Sequence, residues 1–294
     1  MAEQKPISSP AGEPLIRNIS DTALWVAIYR ARESERADAL FRDPYARRLA
    51  GKRGEEIAKS MRFNRGSQDW PYVSRTVCFD QLIMDHVRQG GDMVINLAAG
   101  LDTRPYCMEL PPALKWVEVD LPAMIDYKTE ILRDEKPHCL LERVRLDLGD
   151  VGARQDLFRR LGSEAKNVLV LSEGLLVYLT RDEVSALSRD LAAQATFRNW
   201  AIDLCSPGLL KMLEKSLGRA LDQAGSPLKF GPEEGPDFFA ASGWRAVEVY
   251  SMLKTAAKIK RLPFFLRLFA LLPDRDGRNQ GSRVWGGVCR LTRM

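Results

Sequence analysis

The sequence predicts a mostly parallel, doubly wound α/β sheet preceded by a helical segment. Three observations predict it. Short apolar runs recur that end in an acid or a small residue, helical stretches separate those runs, and the first quarter of the chain has helical periodicity without a strand pattern. The bulk properties agree with a globular chain of 294 residues: 45% of residues are hydrophobic and 28% charged, which excludes a disordered or fibrous protein. Formal net charge is +5. No stretch approaches the roughly 18 apolar residues of a membrane span, and the polar N-terminus lacks the basic and apolar regions of a signal peptide. Cys78, Cys107, Cys139, Cys205 and Cys289 are scattered and never form CxxC, as expected of reduced thiols in a cytoplasmic protein without zinc. With only His86 and His138 present, chemistry built on several histidines is excluded from the outset.

In chain order, residues 1–16 are rich in Pro, Ser and Gly and read as a flexible arm. Residues 17–89 read as a helical cover. Ser20 or Asp21 would cap its first helix, in which Leu24, Ala27, Ile28 and Ala31 fall on one face. Asp43-Pro44 breaks that pattern, and a further helix over 75–88 stops at Gly90-Gly91. From residue 90 to 294 the alternation begins. Strands are expected at 93–97, 116–120, 144–147, 167–171 and 200–204, with helices at 122–132, 155–161 and 181–195 between them. An insertion at about 206–239 would hold a helix over 209–221. A short helix at 237–242, a strand at 244–250, an apolar helix at 262–272 and a last strand at 283–291 complete the order.

Ligands of such sheets sit at the carboxyl ends of the strands, where strand order reverses. The first strand ends in a turn of small residues, Asn96-Leu-Ala-Ala-Gly100-Leu-Asp102-Thr-Arg104. The second ends in Asp120, about 20 residues beyond Gly100, the spacing of an acid that grips ribose hydroxyls. The third ends in Asp147-Leu148 and the fourth in Glu173-Gly174. Successive carboxylates suit a nucleoside with several donors and poorly suit a polyphosphate. Neither Gly-x-Gly-x-x-Gly nor Gly-Lys-Ser/Thr is present, so the first loop argues weakly for NAD and not at all for ATP.

Five segments together resemble one family. They are Asp21-Thr-Ala with Tyr29-Arg30-Ala and Asp43-Pro44; Ser74-Arg75-Thr with Asp80; Asn96-Leu-Ala-Ala-Gly-Leu-Asp-Thr-Arg-Pro105; Glu118-Val-Asp120-Leu-Pro122; and Ser172-Glu173-Gly-Leu-Leu-Val-Tyr178-Leu. They are similar to the leucine carboxyl methyltransferase-like family of S-adenosylmethionine-dependent O-methyltransferases, whose bacterial branch includes small-molecule and polyketide enzymes. The resemblance runs in order over roughly residues 19–204 and implies a Rossmann-like class I methyltransferase domain with a helical cover and insertions. It implies that Arg75, with Arg30, pairs with the cofactor's methionine carboxylate, a task suited to a guanidinium fork. Ala98, Gly100 and Asp102 would lie along the methionine and ribose portion. Asp120 would accept the ribose hydroxyls, Asp147 and the Leu148 backbone would face the adenine, and Glu173 would sit near the methionine ammonium and the reacting methyl. Where the family usually has glycine this chain has Ala98, so a positive φ at that position would make the methyl group costly.

The expected reaction is methyl transfer to a carboxylate or hydroxyl oxygen of a small acceptor, with the shortage of histidines favouring a carboxylate or an acidic phenol. NAD(P)-dependent oxidation in the same crevice, carboxyl methylation of a protein C-terminus and a non-catalytic binding module are the alternatives. Nothing resembles a nucleic-acid-binding motif. Residues 254–294 carry ten Lys/Arg against two Asp. That excess reads as a solvated basic face, with an anionic substrate, an acyl carrier or an acidic membrane surface as other uses. The apolar stretch 262–272 reads as a buried helix, a pocket lid or a dimer contact.

Overall fold

The computed structural model describes residues 19–60, 69–223, 225–273 and 277–294. The arm expected over 1–16 lies outside them. Helices α1 (Ile19–Ser34), α2 (Ala46–Ser60) and α3 (Trp70–Arg88) precede a seven-stranded sheet. Its strands are β1 (Met93–Leu97), β2 (Lys115–Asp120), β3 (Leu140–Arg145), β4 (Val168–Ser172), β5 (Phe197–Cys205), β6 (Trp244–Ser251) and β7 (Gly286–Arg293). Their spatial order is β3-β2-β1-β4-β5-β7-β6, and β7 runs antiparallel to β5 and β6. The remaining neighbours are parallel. Strand order therefore reverses between β1 and β4, and the crevice of the fold opens at their carboxyl ends.

β1 and β4 are buried along their whole length because helices cover both faces of the sheet, which explains their unbroken apolar sequences. Linking the strands are α4 (Arg104–Cys107), α5 (Pro122–Ile131), α6 (Val151–Glu164), α7 (Arg181–Ala192) and α8 (Pro207–Gln223). Asp150 caps α6 by accepting from the Ala153 N–H, and Thr180 with Glu183 forms a capping box on α7. The cover is not separate from the sheet. Ala27 and Ile28 of α1 and Leu49 and Ala50 of α2 pack with Leu101, Tyr106 and Met124 in one cluster. On β2, the fully buried Glu118 accepts from the equally buried Lys128 Nζ at 2.7 Å and from Arg143 Nε at 3.0 Å.

Four expectations about elements need correction. The third strand is Leu140–Arg145, earlier than 144–147, because an edge strand tolerates charges on its solvent side; Glu142 there meets Lys115 and Arg160. Helix α3 begins at Trp70, so Arg75 lies in its second turn and not at its start. Asp21 does not cap α1 but lies within it and pairs with Arg53 at 3.0 Å. The apolar helix over 262–272 shrinks to a 3-10 turn at Phe264–Leu266 and the single turn α10 (Arg267–Ala270). An apolar segment with no body to pack against has no means of stabilising a longer helix. It follows α9 (Met252–Lys258), which packs on α3. Among the described residues no helix is long and apolar enough to cross a membrane.

Candidate active site

The turn after β1 has left-handed backbone at Ala98 (φ 52°) and Gly100 (φ 48°). This conformation aims the Gly100 N–H at Asp120 Oδ2, at 2.6 Å, while the Leu121 N–H reaches Oδ1 at 2.7 Å. Asp120, at the end of β2, thus fixes the small-residue loop in place. Burial raises its carboxyl above the ordinary aspartate range, against the pull of those two N–H groups. An alanine in the left-handed region costs about 1–2 kcal/mol, of which a glycine's looser unfolded state would return roughly 0.4–1. Ala98→Gly is therefore expected to stabilise the protein by about 0.5–1 kcal/mol, seen as a rise of about 2 °C in Tm by calorimetry. A fall in Tm would show that the Ala98 methyl makes packing worth more than its strain.

Beside this loop lies a buried cluster of charges drawn from four parts of the chain. Glu173, just beyond β4, accepts from Arg75 Nε at 3.0 Å and meets Arg104 Nη1 at 2.9 Å. Arg75 Nη1 also donates to Asp203 of β5 at 3.1 Å. Arg104 donates to Asp80 of α3 at 2.6 Å and to Asp102 at 2.7 Å, and Asn96 holds the same Asp102 at 2.7 Å. Gly174 makes the corner possible. Its φ of +70° turns its N–H onto Asp203 at 2.7 Å, and a Cβ there would stand 3.3 Å from the Arg75 guanidinium. Burial alone would raise the Glu173 carboxyl, yet Arg104 and Arg75 outweigh it and hold the group below the ordinary glutamate range. In Asp102, burial is likewise overcome, by Arg104, Lys128 and Arg30. Asp80 goes the other way, because burial and two neighbouring carboxylates exceed what Arg104 returns.

An aromatic wall adjoins the cluster. Arg75 lies over the Tyr72 ring at 5.7 Å, and Tyr72 stacks on Tyr29 at 4.6 Å. Trp25, Ile57 and Leu221 complete that patch between the cover and α8. Burial pushes the hydroxyl pKa values of both Tyr72 and Tyr178 upward.

A model of the family described as leucine carboxyl methyltransferase matches residues 23–192, more than half of the chain. The chain belongs to this methyltransferase family. A Streptomyces coelicolor protein carried under the name of an S-adenosyl-L-methionine-dependent methyltransferase is 32% identical over 246 residues, covering 76% of this chain and 82% of that one. A Streptomyces avermitilis protein with the same kind of name is 31% identical over 242 residues, with the same coverage. Among solved structures, a methyltransferase from Thermobifida fusca superposes with a TM-score of 0.58 at 15% identity, covering 98% of this chain and 100% of its own. A DUF574 family protein from Streptomyces avermitilis gives 0.56 at 13% identity, covering 92% and 96%. These two likenesses establish the fold. S-adenosylmethionine is the methyl donor of this class; the doubly wound sheet expected from the strand pattern, and the class I methyltransferase architecture that the resemblance implied, are the ones observed.

Within this methyltransferase the expected site residues separate into groups. Gly100 and Asp120 are joined directly, and Arg75 and Glu173 are joined directly; Arg104 links that pair to Asp102. Arg30 does not join the Arg75–Glu173 pair: its Nε donates to Asp43 at 2.9 Å and its Nη2 to the Leu101 carbonyl, beside Asp102, so it ties the cover to the glycine loop. Asp147 is exposed and accepts from the Gly149 N–H at 2.8 Å. The Leu148 carbonyl accepts from Arg154 at 2.6 Å, which fixes the turn after β3. His86 is buried on the Met93 carbonyl at 3.0 Å and His138 meets the Met108 carbonyl at 2.7 Å, both outside the cluster. Asp203, Arg104 and Asp80 join the cluster although the sequence alone assigns them no role. Asp203 carried the same signal as the chosen acids, a carboxylate near the end of an apolar strand. Arg104 and Asp80 stood inside the quoted motifs with no role, because only the fold brings them together.

Proposed function

We propose that this methyltransferase transfers the methyl group to an oxygen of a small acceptor that enters already ionised, a carboxylate or an acidic phenol. One observation carries the reading. Among the described residues of the site every carboxylate is held by an arginine, an amide or backbone N–H groups, both histidines lie elsewhere, and the nearby tyrosine hydroxyls are raised. Neither a histidine nor an easily ionised tyrosine stands at the site to take a proton from a neutral alcohol, so an oxygen that needs no base is the matching nucleophile. The residues fit S-adenosylmethionine in kind. Asp120 offers two carboxylate oxygens beside a loop whose Gly100 carries no side chain, and the Glu173–Arg75 pair offers an acceptor and a fork for an amino-acid end. When bound, S-adenosylmethionine supplies a methyl group made electrophilic by its sulfonium charge.

The chain's own contribution is then alignment and exclusion of water. Arg75 would orient the methionine carboxylate with the guanidinium N–H groups that Glu173 and Asp203 leave over. Glu173, kept ionised by two arginines, would hold the ammonium end and face the sulfonium as a fixed negative charge; its low basicity assigns it electrostatics in place of proton transfer. Asp147 and the Leu148 backbone, at the end of β3, would meet the adenine edge. Helices α1 and α2 would close over the acceptor.

Asp120→Ala is expected to weaken binding of S-adenosylhomocysteine at least tenfold by calorimetry, the loss of about 1.5–3 kcal/mol from hydrogen bonds to a charge. In the native protein the affinity should fall as pH drops through the raised Asp120 pKa, since the carboxylate is the form that accepts both hydroxyls. Unchanged affinity with the fold intact would remove Asp120 from the site. Acceptor chemistry is tested by incubating the protein with isotope-labelled S-adenosylmethionine and paired acids, phenols and aliphatic alcohols of equal size. Methyl esters or aryl ethers are expected in mass spectra. Methylated aliphatic alcohols, amines or thiols would overturn the reading.

A further inference from the structure

The segment after α9 presents a group of large apolar side chains to solvent. Phe264 is 81% exposed, Leu271 79% and Leu268 75%, and Phe265, Phe269 and Leu272 are each more than half exposed. Scattered apolar residues on a surface are ordinary, but six within nine positions form a continuous projection. Its setting is strongly basic. Between residues 251 and 273 there is no Asp or Glu, while Lys254, Lys258, Lys260 and Arg267 have no acidic partner among the described residues. Lys258, Lys260 and Arg267 are exposed.

The projection is held at its base. Arg261 donates to Glu33 of α1 at 2.8 Å and to Asp38 at 3.0 Å, and Thr255 of α9 meets Cys78 of α3 at 3.6 Å. These contacts anchor it to the two helices that border the active site. A cavity of about 160 Å³ lies at the same place, lined by Arg32, Glu33, Asp69, Trp70, Val73 and Arg261. Val73 is two residues before Arg75 on α3.

From this arrangement we infer that the apolar projection at 264–272, ringed by unpaired cations, docks the methyltransferase on an anionic lipid bilayer. Aromatic and leucine side chains would enter the acyl boundary while lysines stay among acidic headgroups, the division of labour of interfacial anchors. A second copy of the chain is the poorer occupant, because pairing two such faces would set Lys258 and Lys260 against their own counterparts.

The test uses the purified full chain and sedimentation with vesicles of phosphatidylcholine plus phosphatidylglycerol, against phosphatidylcholine alone. The chain is expected to pellet with the anionic vesicles and to be released by added salt. The triple change Phe264→Ser, Leu268→Ser and Phe269→Ser is expected to lower the partition at least about tenfold. Lys258→Glu with Lys260→Glu should lower it comparably. Both variants should retain native Tm and native S-adenosylhomocysteine binding, which shows that the fold and cofactor site survive. Three results would overturn the inference: no pelleting with anionic vesicles, equal partition of the triple variant, or a dimer in sedimentation equilibrium that the triple change converts to a monomer.

Discussion

Arg75→Ala is expected to weaken S-adenosylmethionine binding by about a hundredfold, while adenosine binding barely changes. The guanidinium is buried against Glu173 and Asp203, and its position over Tyr72 fixes its plane. Two of its donors serve those carboxylates, so the rest of the fork is presented in a set direction. Losing it removes the partner of a charged ligand group and leaves two protein carboxylates without their cation. Truncations of that type cost about 2–5 kcal/mol. Arg75→Lys keeps the charge but loses the planar fork, and a smaller loss, about tenfold, is expected. Adenosine lacks the carboxylate and supplies the control. Equal weakening of both ligands would show that Arg75 acts through the fold, and no weakening of either would remove it from the site. Calorimetric titration of the three proteins with both ligands decides between these outcomes.

The contrast between Arg75 and Arg30 shows what a sequence can carry. The sheet was legible because β1, β2, β4 and β5 are apolar runs with a single purpose, burial on both faces. Asp120 and Glu173 were legible because a carboxylate ending such a run has few structural reasons to be there. Arg30 and Arg75 look alike in sequence, each a cation on an amphipathic helix. Only packing separates them: α1 brings Arg30 to Asp43 and the Leu101 carbonyl, and α3 brings Arg75 to Glu173, 98 positions later. Asp203 and Asp80 were hidden for the same reason, since their meaning is a partner distant in sequence. The stretch 262–272 was legible only in part. Strong apolarity fits a buried helix, a lid or a contact surface alike, and only the fold shows that Leu262 is buried while the large side chains from Phe264 onward face solvent.

Glu118→Gln should be the most destabilising conservative change in the protein, lowering stability by about 3–5 kcal/mol. Glu118 is fully buried on β2, Lys128 is fully buried on α5, and their atoms meet at 2.7 Å. Arg143 adds a second cation at 3.0 Å and also donates to the Tyr106 hydroxyl at 2.6 Å and to Thr129 Oγ1 at 3.2 Å. The amide of glutamine keeps the shape but leaves the Lys128 charge inside the core with no anion to offset its desolvation. At about 2–4 °C per kcal/mol for a chain of this size, Tm should fall by about 10 °C. Adding Lys128→Met should recover much of the loss, because a buried apolar chain replaces an unpaired charge. The effect should reach the site as well, since Lys128 is one of the cations that hold the Asp102 carboxyl down. If Glu118→Gln melts within about 1 °C of the native protein, the buried pair contributes no more than an ordinary hydrogen bond, about 1 kcal/mol.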